Sequence, residues 1–299
     1  MRVPIAEVME ILAERGFTST YHGSDAAFIT QFCPLSAPQP HALTWVRDVA
    51  AFHRNPLDPD LGTVIIAAEP LDEQAGFNTI CTPDPRAAFF SIISGLNPQP
   101  AEPFIAPNAT VLARDLPHDL RVGYHTFIDE HVTIGRGTRI GHNVTIQNSV
   151  VIGEDCVIES GAVIGAPGFG YFENPAGRME KIPDLGGIVI GDRVSIGANA
   201  VVSRGTLGQT IIGDDSKIDI LAYIAHNVVI GPGCVVVGAA MLSGSARLGE
   251  RVYVAPAATV IDHADIGDEA FIGMGSVVMH DVAAHTVVAG VPARFLRDR

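Results

Sequence analysis

Ile212-Gly-Asp-Asp-Ser-Lys-Ile218-Asp-Ile-Leu-Ala-Tyr-Ile224-Ala-His-Asn-Val-Val-Ile230 places an isoleucine at every sixth position. The register runs on through Val236, Leu242, Leu248, Val254, Val260, Ile266 and Ile272 to Val278. Upstream it links Val122, Ile128, Ile134, Ile140, Ile146, Ile152, Ile158 and Ile164, and after an interruption Ile190, Ile196 and Val202. Four residues beyond each of these stands a small or β-branched residue, such as Thr126, Thr138, Cys156, Ala200 or Cys234. A period of six belongs to neither an α-helix nor a half-buried strand of a sandwich; it is the mark of a parallel β-solenoid. The aliphatic residue points inward and the small residue lets the backbone turn a corner. Gly135, Gly141, Gly153, Gly213, Gly267, Asn143 and Asp155 are expected to supply unusual backbone angles there. Three sixes close a triangular coil, so residue n lies under n + 18, about 4.8 Å away by strand spacing.

Two stretches break the register, Pro167–Gly187 and Leu207–Thr210, and loops on a rigid scaffold are where function concentrates. Residues before about 100 lack the period. Pro4–Arg15 reads as a helix and Gly62–Ala68 as a buried strand, while the prolines of Leu96–Pro103 mark a linker. The expected organisation is a small α/β domain over 1–100, a mainly β solenoid over 101–283 and a short cap over 284–299.

The 299 residues carry a formal charge of −14, with a pI near 5.1 and a mean hydropathy of +0.28. Nucleic-acid binding needs clustered Lys and Arg to displace counterions, so this balance argues against such a partner. Acidity also disfavours an anionic membrane surface, and no run approaches the roughly 20 apolar residues of a membrane span. Cys33, Cys81, Cys156 and Cys234 show no paired short spacing, which fits a reduced, cytoplasmic protein.

Of the eleven histidines, His131, His142 and His285 read as polar residues at turns. His226 is the candidate base, since an imidazole takes and returns a proton near neutrality. Asp219, one row earlier, is expected to hold the ring in its tautomer. Gly244 stands at 226 + 18 and is expected to aim a bare backbone N–H at an oxyanion. His263 falls two coils up and one residue along, placed to add a donor or hold a sugar.

Gly168-Phe-Gly-Tyr171, Lys181-Ile-Pro183, Ile190-Gly-Asp-Arg-Val194, Ser203-Arg-Gly-Thr206 and Ile224-Ala-His-Asn-Val-Val-Ile-Gly231 together resemble the UDP-3-O-acylglucosamine N-acyltransferases. These are left-handed, trimeric hexapeptide-repeat enzymes of lipid A biosynthesis. The resemblance covers nearly the whole chain and implies an acyl transfer from a thioester to a nucleotide-linked amino sugar. It makes His226 the general base and Asp219 its partner, with His263 and Gly244 steadying the intermediate. It places Phe169, Gly170, Tyr171 and Lys181 on the substrate, and Trp45 and Phe52 against the nucleotide base. Trp45, the single tryptophan, is equally suited to a core anchor. Gly273, Met274 and Gly275 fall along the expected donor groove. No cofactor or metal is implied; the co-substrate is an acyl carrier protein's phosphopantetheine thioester or an acyl-CoA.

The chain departs from the family pattern at Ile220-Leu-Ala-Tyr223, at Gln147 and Asn148, and at Pro167. In place of the family's long terminal helices stands Thr286-Val-Val-Ala-Gly-Val-Pro-Ala-Arg-Phe-Leu-Arg297, similar to the tail of acetyl-CoA-dependent hexapeptide sugar acetyltransferases, which puts Arg294 near the donor. An acetyl-CoA-dependent nucleotide-sugar N-acetyltransferase is therefore the alternative reading. A γ-carbonic-anhydrase-like metalloenzyme would require three convergent imidazoles, and Asp268 stands where a second histidine would follow His263. A non-catalytic trimeric scaffold would give no reason for a base, an Asp and a Gly to align beside an aromatic loop.

Overall fold

The computed structural model describes residues 2–54, 57–71, 76–98, 102–147 and 149–298. It divides into two compact units, Met1–Ala101 and Glu102–Arg299. Residues 99–101 of the expected linker, and Asn148, lie outside the described residues.

The first unit is an α/β sandwich. Its five-stranded sheet runs in the order Thr20–His22, Asn78–Cys81, Val64–Ala67, Ala42–Trp45, Gln31–Phe32, with only the first of these antiparallel to its neighbour. All four residues of Val64–Ala67 are buried, as befits a central parallel strand covered on both faces. Ile5–Glu14 and Pro85–Leu96 are the main helices; the second starts with Asp84 accepting from Ala87 N–H and proline in its first turn. Val8, Leu12, Ile29, Leu43, Ile66 and Ile92 fill one side of the sheet. Phe52, Leu57, Ile65 and Leu71 fill the other.

The second unit is the parallel β-helix. Three sheets of eleven, nine and seven strands among the described residues are visited in turn, each strand pairing with the one a coil away. Ile218 pairs with Val236, Ile224 with Leu242 and Ile230 with Leu248, which is the eighteen-residue register. The heads of the sixes form one continuous core, Val122 and Ile128 through Val260 and Ile272. Burying each such side chain contributes about 1.5–3 kcal/mol before chain entropy is charged against it.

The three corners between the sheets will be called first, second and third in chain order: first sheet to second, second to third, and third back to first. At most corners the third residue past the head takes a left-handed conformation whatever its type, including Leu221 (φ 60°), Ala239 (57°) and Ala257 (56°); His131 is an exception. Asn143 (54°) and Asp155 (53°) do so as expected. The expectation for the glycines needs correction. Gly135, Gly153 and Gly267 have no positive φ; they are glycine because the next coil passes too close. A Cβ at 135 would lie 2.4 Å from the carbonyl carbon of Gly153, and one at 267 would lie 2.4 Å from Ala284 N. Small residues four past the head do more than save space. Thr138 Oγ1 donates to Gly153 O at 3.0 Å and accepts from Cys156 N–H at 3.1 Å, so its buried hydroxyl is fully used.

Both ends of the solenoid exceed the periodic stretch. Ile105 already pairs with Val122, and Val111 with Ile128, one residue short of the regular coil. The cap is a continuation of the first sheet: Thr286–Ala289 pairs in parallel with Phe271–Ile272, then Arg294–Asp298 folds back antiparallel upon it.

Candidate active site at the second corner

Both interruptions of the repeat emerge from the second corner. The long one leaves the strand Val163–Ala166 and returns at Ile188–Ile190; the short one leaves Val201–Ser203 and returns at Thr210–Ile212. His226 follows Ile224 at the same corner, one coil on, with Gly244 above it and His263 above that. The sequence contained this coincidence: counting rows in threes puts Ile164, Val202 and Ile224 on one sheet.

The two loops are sewn together. Leu185 N–H donates to Thr206 O at 2.7 Å, Gly186 N–H to Gly205 O at 3.0 Å, and Arg204 N–H to Ala166 O at 2.9 Å. Asn227 joins them to the histidine. Its Oδ1 accepts from Thr206 N–H at 3.0 Å and lies 3.2 Å from His226 Nδ1, while its own N–H donates to Thr210 Oγ1 at 2.9 Å. An amide oxygen only accepts, and the Thr206 N–H fixes which end of the amide faces the ring. Nδ1 therefore carries the proton and Nε2 the lone pair.

The half-buried His226 ring rests on two glycines. A Cβ at 244 would stand 2.7 Å from both Cε1 and Nε2, and one at 168 would stand 3.0 Å from Cδ2. The Gly244 N–H has no hydrogen-bond partner among the described residues, which leaves it available to an incoming oxyanion. His263 is exposed on the same corner; its N–H donates to Gly244 O at 3.0 Å.

A residue that sequence reasoning missed completes this cluster. Asp184, in the long loop, has a side chain only 5 % exposed; its Oδ2 accepts from Lys181 Nζ at 2.8 Å and its Oδ1 from Thr206 Oγ1 at 3.3 Å. That Oδ1 lies 3.2 Å from the same point above Gly168 that the His226 ring flanks. Lying outside the repeat, Asp184 had no register to reveal it; its only signal was an acid directly after Lys181-Ile-Pro183.

The other expected residues divide by location. Tyr171–Glu173 and Met179–Lys181 form a hairpin whose Phe169 (84 % exposed) and Tyr171 meet edge to face at 5.2 Å, and Gly170 O accepts from Ile182 N–H. Lys181 belongs to Asp184 within the chain. Asp219 is not the partner of His226 in the chain: it lies at the first corner, where its Oδ2 accepts from Gly238 N–H at 2.9 Å. Gly273, Met274 and Gly275 share that first corner, Met274 being exposed and Gly275 left-handed at φ 64°. Arg294 opens the last strand of the first sheet and lines a cavity of about 300 Å³ with Met279, His280, Asp281 and Phe295. In the first unit, Phe52 is a core residue, buried and perpendicular to Phe77 at 5.3 Å, and its burial leaves no open face for a base. Trp45 is half-buried at a strand end against the other core cluster. Among the described residues no three His, Cys, Asp or Glu side chains are grouped to hold a metal ion, and no helix is long and apolar enough to cross a membrane.

Hexapeptide coils of this construction define a class of bacterial transferases. The family model "Bacterial transferase hexapeptide (six repeats)" matches residues 131–166 and 209–244, and "Hexapeptide repeat of succinyl-transferase" matches 187–219. A Coxiella burnetii protein named UDP-3-O-acylglucosamine N-acyltransferase is 34 % identical over 280 residues, covering 87 % of this chain and 81 % of the relative. With that extent of similarity the chain belongs to the UDP-3-O-acylglucosamine N-acyltransferase family. A Caulobacter relative of the same name is 43 % identical over 133 residues, a match spanning only 39 % of its length. Among solved structures, UDP-N-acetylglucosamine acyltransferase from Bacteroides fragilis (TM-score 0.56, 24 % identity, 64 % of this chain and 74 % of that one) shares the fold. LpxA from Acinetobacter baumannii does so as well (0.54, 24 %, 66 % and 72 %).

Proposed function

We propose that this chain transfers an acyl group from a thioester carrier to the amino group of a nucleotide-linked amino sugar, with His226 as general base. The carrying observation is the seat of His226: Nδ1 lies 3.2 Å from Asn227 Oδ1, an oxygen oriented by the Thr206 N–H, which assigns the proton to Nδ1 and leaves the Nε2 lone pair beside a bare Gly244. As the acceptor nitrogen attacks the thioester carbonyl, its proton passes to Nε2 and the C–N bond forms. The Gly244 N–H receives the oxyanion. Collapse breaks the C–S bond, and the imidazolium returns the proton to the departing sulfur. The donor is an acyl carrier protein thioester or an acyl-CoA.

We further propose that the working unit is a trimer. The expected site residues lie on two different corners of one chain: His226, Gly244 and His263 on the second, Asp219 and Gly273–Gly275 on the first. One site uniting them needs the first corner of a second copy. Beside Asp219 lies a shallow, mostly apolar cavity of about 640 Å³ lined by Ile218, Ile220, Val235, Val237 and Tyr253, with Ile220 half exposed. A neighbouring copy would cover it and bring Asp219 toward a histidine it cannot reach in its own chain.

The test offers UDP- and dTDP-linked amino sugars with either acetyl-CoA or a hydroxyacyl carrier protein, read by mass spectrometry. Amide product from the hydroxyacyl carrier protein, reduced about 10²–10⁴-fold in His226→Ala, is the expected result. No product from any pair, or full activity in His226→Ala, would overturn the reading. Product from acetyl-CoA alone would replace it with the N-acetyltransferase alternative.

A further inference from the structure

Resting on that reading, we infer that the short loop Leu207–Thr210 is a clamp on His226, with Asn227 as the positioning residue through which it acts. Elsewhere at the second corner the left-handed residue is tied to the coil below by its backbone alone. Ser245 N–H donates to His226 O at 2.9 Å, and His263 N–H to Gly244 O at 3.0 Å. On the coil that carries the loop this bond is rerouted. Asn227 N–H turns to Thr210 Oγ1 at 2.9 Å, and that hydroxyl donates in turn to Ser203 O at 2.8 Å. Thr210 is fully buried, and both roles of its hydroxyl are taken.

The other end of the loop takes hold of the side chain. Thr206 N–H donates to Asn227 Oδ1 at 3.0 Å. Gly205 and Gly208 allow the loop to close over the amide: a Cβ at 205 would stand 2.8 Å from Asn227 Nδ2, and one at 208 would stand 3.4 Å from it. The amide is thus held through its backbone, through its oxygen and from above. His226 Nδ1 lies 3.2 Å from the oxygen so held. Asn227 meets the ring at Nδ1 and not at Nε2, the nitrogen that takes the proton. Its effect is on where the ring points and on which nitrogen is protonated, since the hydrogen bond at one ring nitrogen sets the tautomer.

Nitrogen NMR of the histidine-labelled whole chain reads the ring directly. Wild-type His226 is expected as the Nδ1–H tautomer, and in Asn227→Ala it should become a mixture of the two forms. Alanine adopts the same left-handed conformation at Ala239 and Ala257, so the coil has no need to rearrange. With the substrates of the proposed reaction, kcat of Asn227→Ala should fall about 10- to 100-fold while KM for both stays near the wild-type value. Asn227→Asp keeps an oxygen for both donors and should restore most of the rate at its own pH optimum. A wild-type tautomer and kcat in Asn227→Ala, whatever happens to Tm, would overturn the clamp and leave the acyltransferase reading intact. A tautomer change in that variant, with no product from any substrate pair in wild type, would support the clamp and overturn the acyltransferase reading. Should Asn227→Ala not fold, the wild-type spectrum decides: an Nδ1–H ring supports the assignment and an Nε2–H ring overturns it.

Discussion

The second and third corners of the solenoid are built on the same coil and the same left-handed residue, yet they are furnished in opposite ways. At the third corner the residue after the head is glycine on seven coils, Gly135, Gly153, Gly191, Gly213, Gly231, Gly249 and Gly267. Carboxylates cap the free N–H groups of neighbouring coils: Asp192 Oδ1 accepts from Glu154 N–H at 2.8 Å, and Asp268 Oδ1 from Glu250 N–H at 2.8 Å. Arg193 pairs with Asp215, and Arg251 with Glu269. These groups are spent on neighbouring coils. At the second corner the glycine rule lapses, two loops break out, and the Gly244 N–H is left without a partner in the chain. A corner that spends its polar groups on its own coils is scaffold; a corner that leaves a base and an N–H unspent is where chemistry fits.

Substituting one glycine at each corner sharpens the contrast. Gly244→Ala places a methyl 2.7 Å from Nε2 and Cε1 of His226, and the ring must tilt away or the coil must give. The ring is the softer of the two. Because a displaced base and a disturbed oxyanion donor compound each other, kcat/KM should fall about 10²–10³-fold while Tm moves little. Steady-state kinetics beside thermal unfolding checks this. A variant that loses its fold as readily as its activity would show that the second corner is structural after all.

Gly231→Ala reverses the balance. Its Cβ would meet Gly249 O at 2.3 Å and the carbonyl carbon at 2.6 Å, both backbone atoms held by the ladder. Overpacking of this kind costs about 1–3 kcal/mol, so Tm should drop measurably. Activity per folded molecule should remain that of the wild type, since Gly231 lies at the third corner and His226 at the second. Equal activity losses from the two alanines would erase the distinction between the corners.

How much of this contrast was legible follows from what lies inside the period. The aliphatic heads and the eighteen-residue step give the coil and the stacking of His226, Gly244 and His263 directly. The same arithmetic, carried to rows in threes, separates Asp219 from His226, because a six-residue step moves to the next corner and only eighteen stays on the same one. The last strands were assigned to a separate cap because Ile272–Val288 is off the eighteen-residue step; the first coil, from Ile105, is off it too but falls within the expected solenoid. Asp184 escaped because its position is set by the loop's hydrogen bonds to Thr206 and Gly205, which no spacing encodes. Phe52 was misjudged because an aromatic on an amphipathic helix looks the same whether it stacks on a ligand or on Phe77.

The smallest effect is expected from the third corner's charges. The Asp215 carboxyl is held below the usual carboxylate range, first by its hydrogen bonds from Arg193 and then by the guanidinium's charge. A carboxyl depressed in the folded state adds stability above its unfolded pKa and loses it as pH falls through the folded value. Any such contribution therefore belongs to neutral pH and vanishes in acid. The pair is fully exposed, however, and water and salt screen it. Arg193→Gln should leave Tm at neutral pH and the acid-unfolding profile unchanged within error, in low salt as in high. A clear loss of Tm at neutral pH that disappears in acid would mean that the arginine–carboxylate ladder acts cooperatively along the coil, and that the third corner is held by its charges as well as by its glycines.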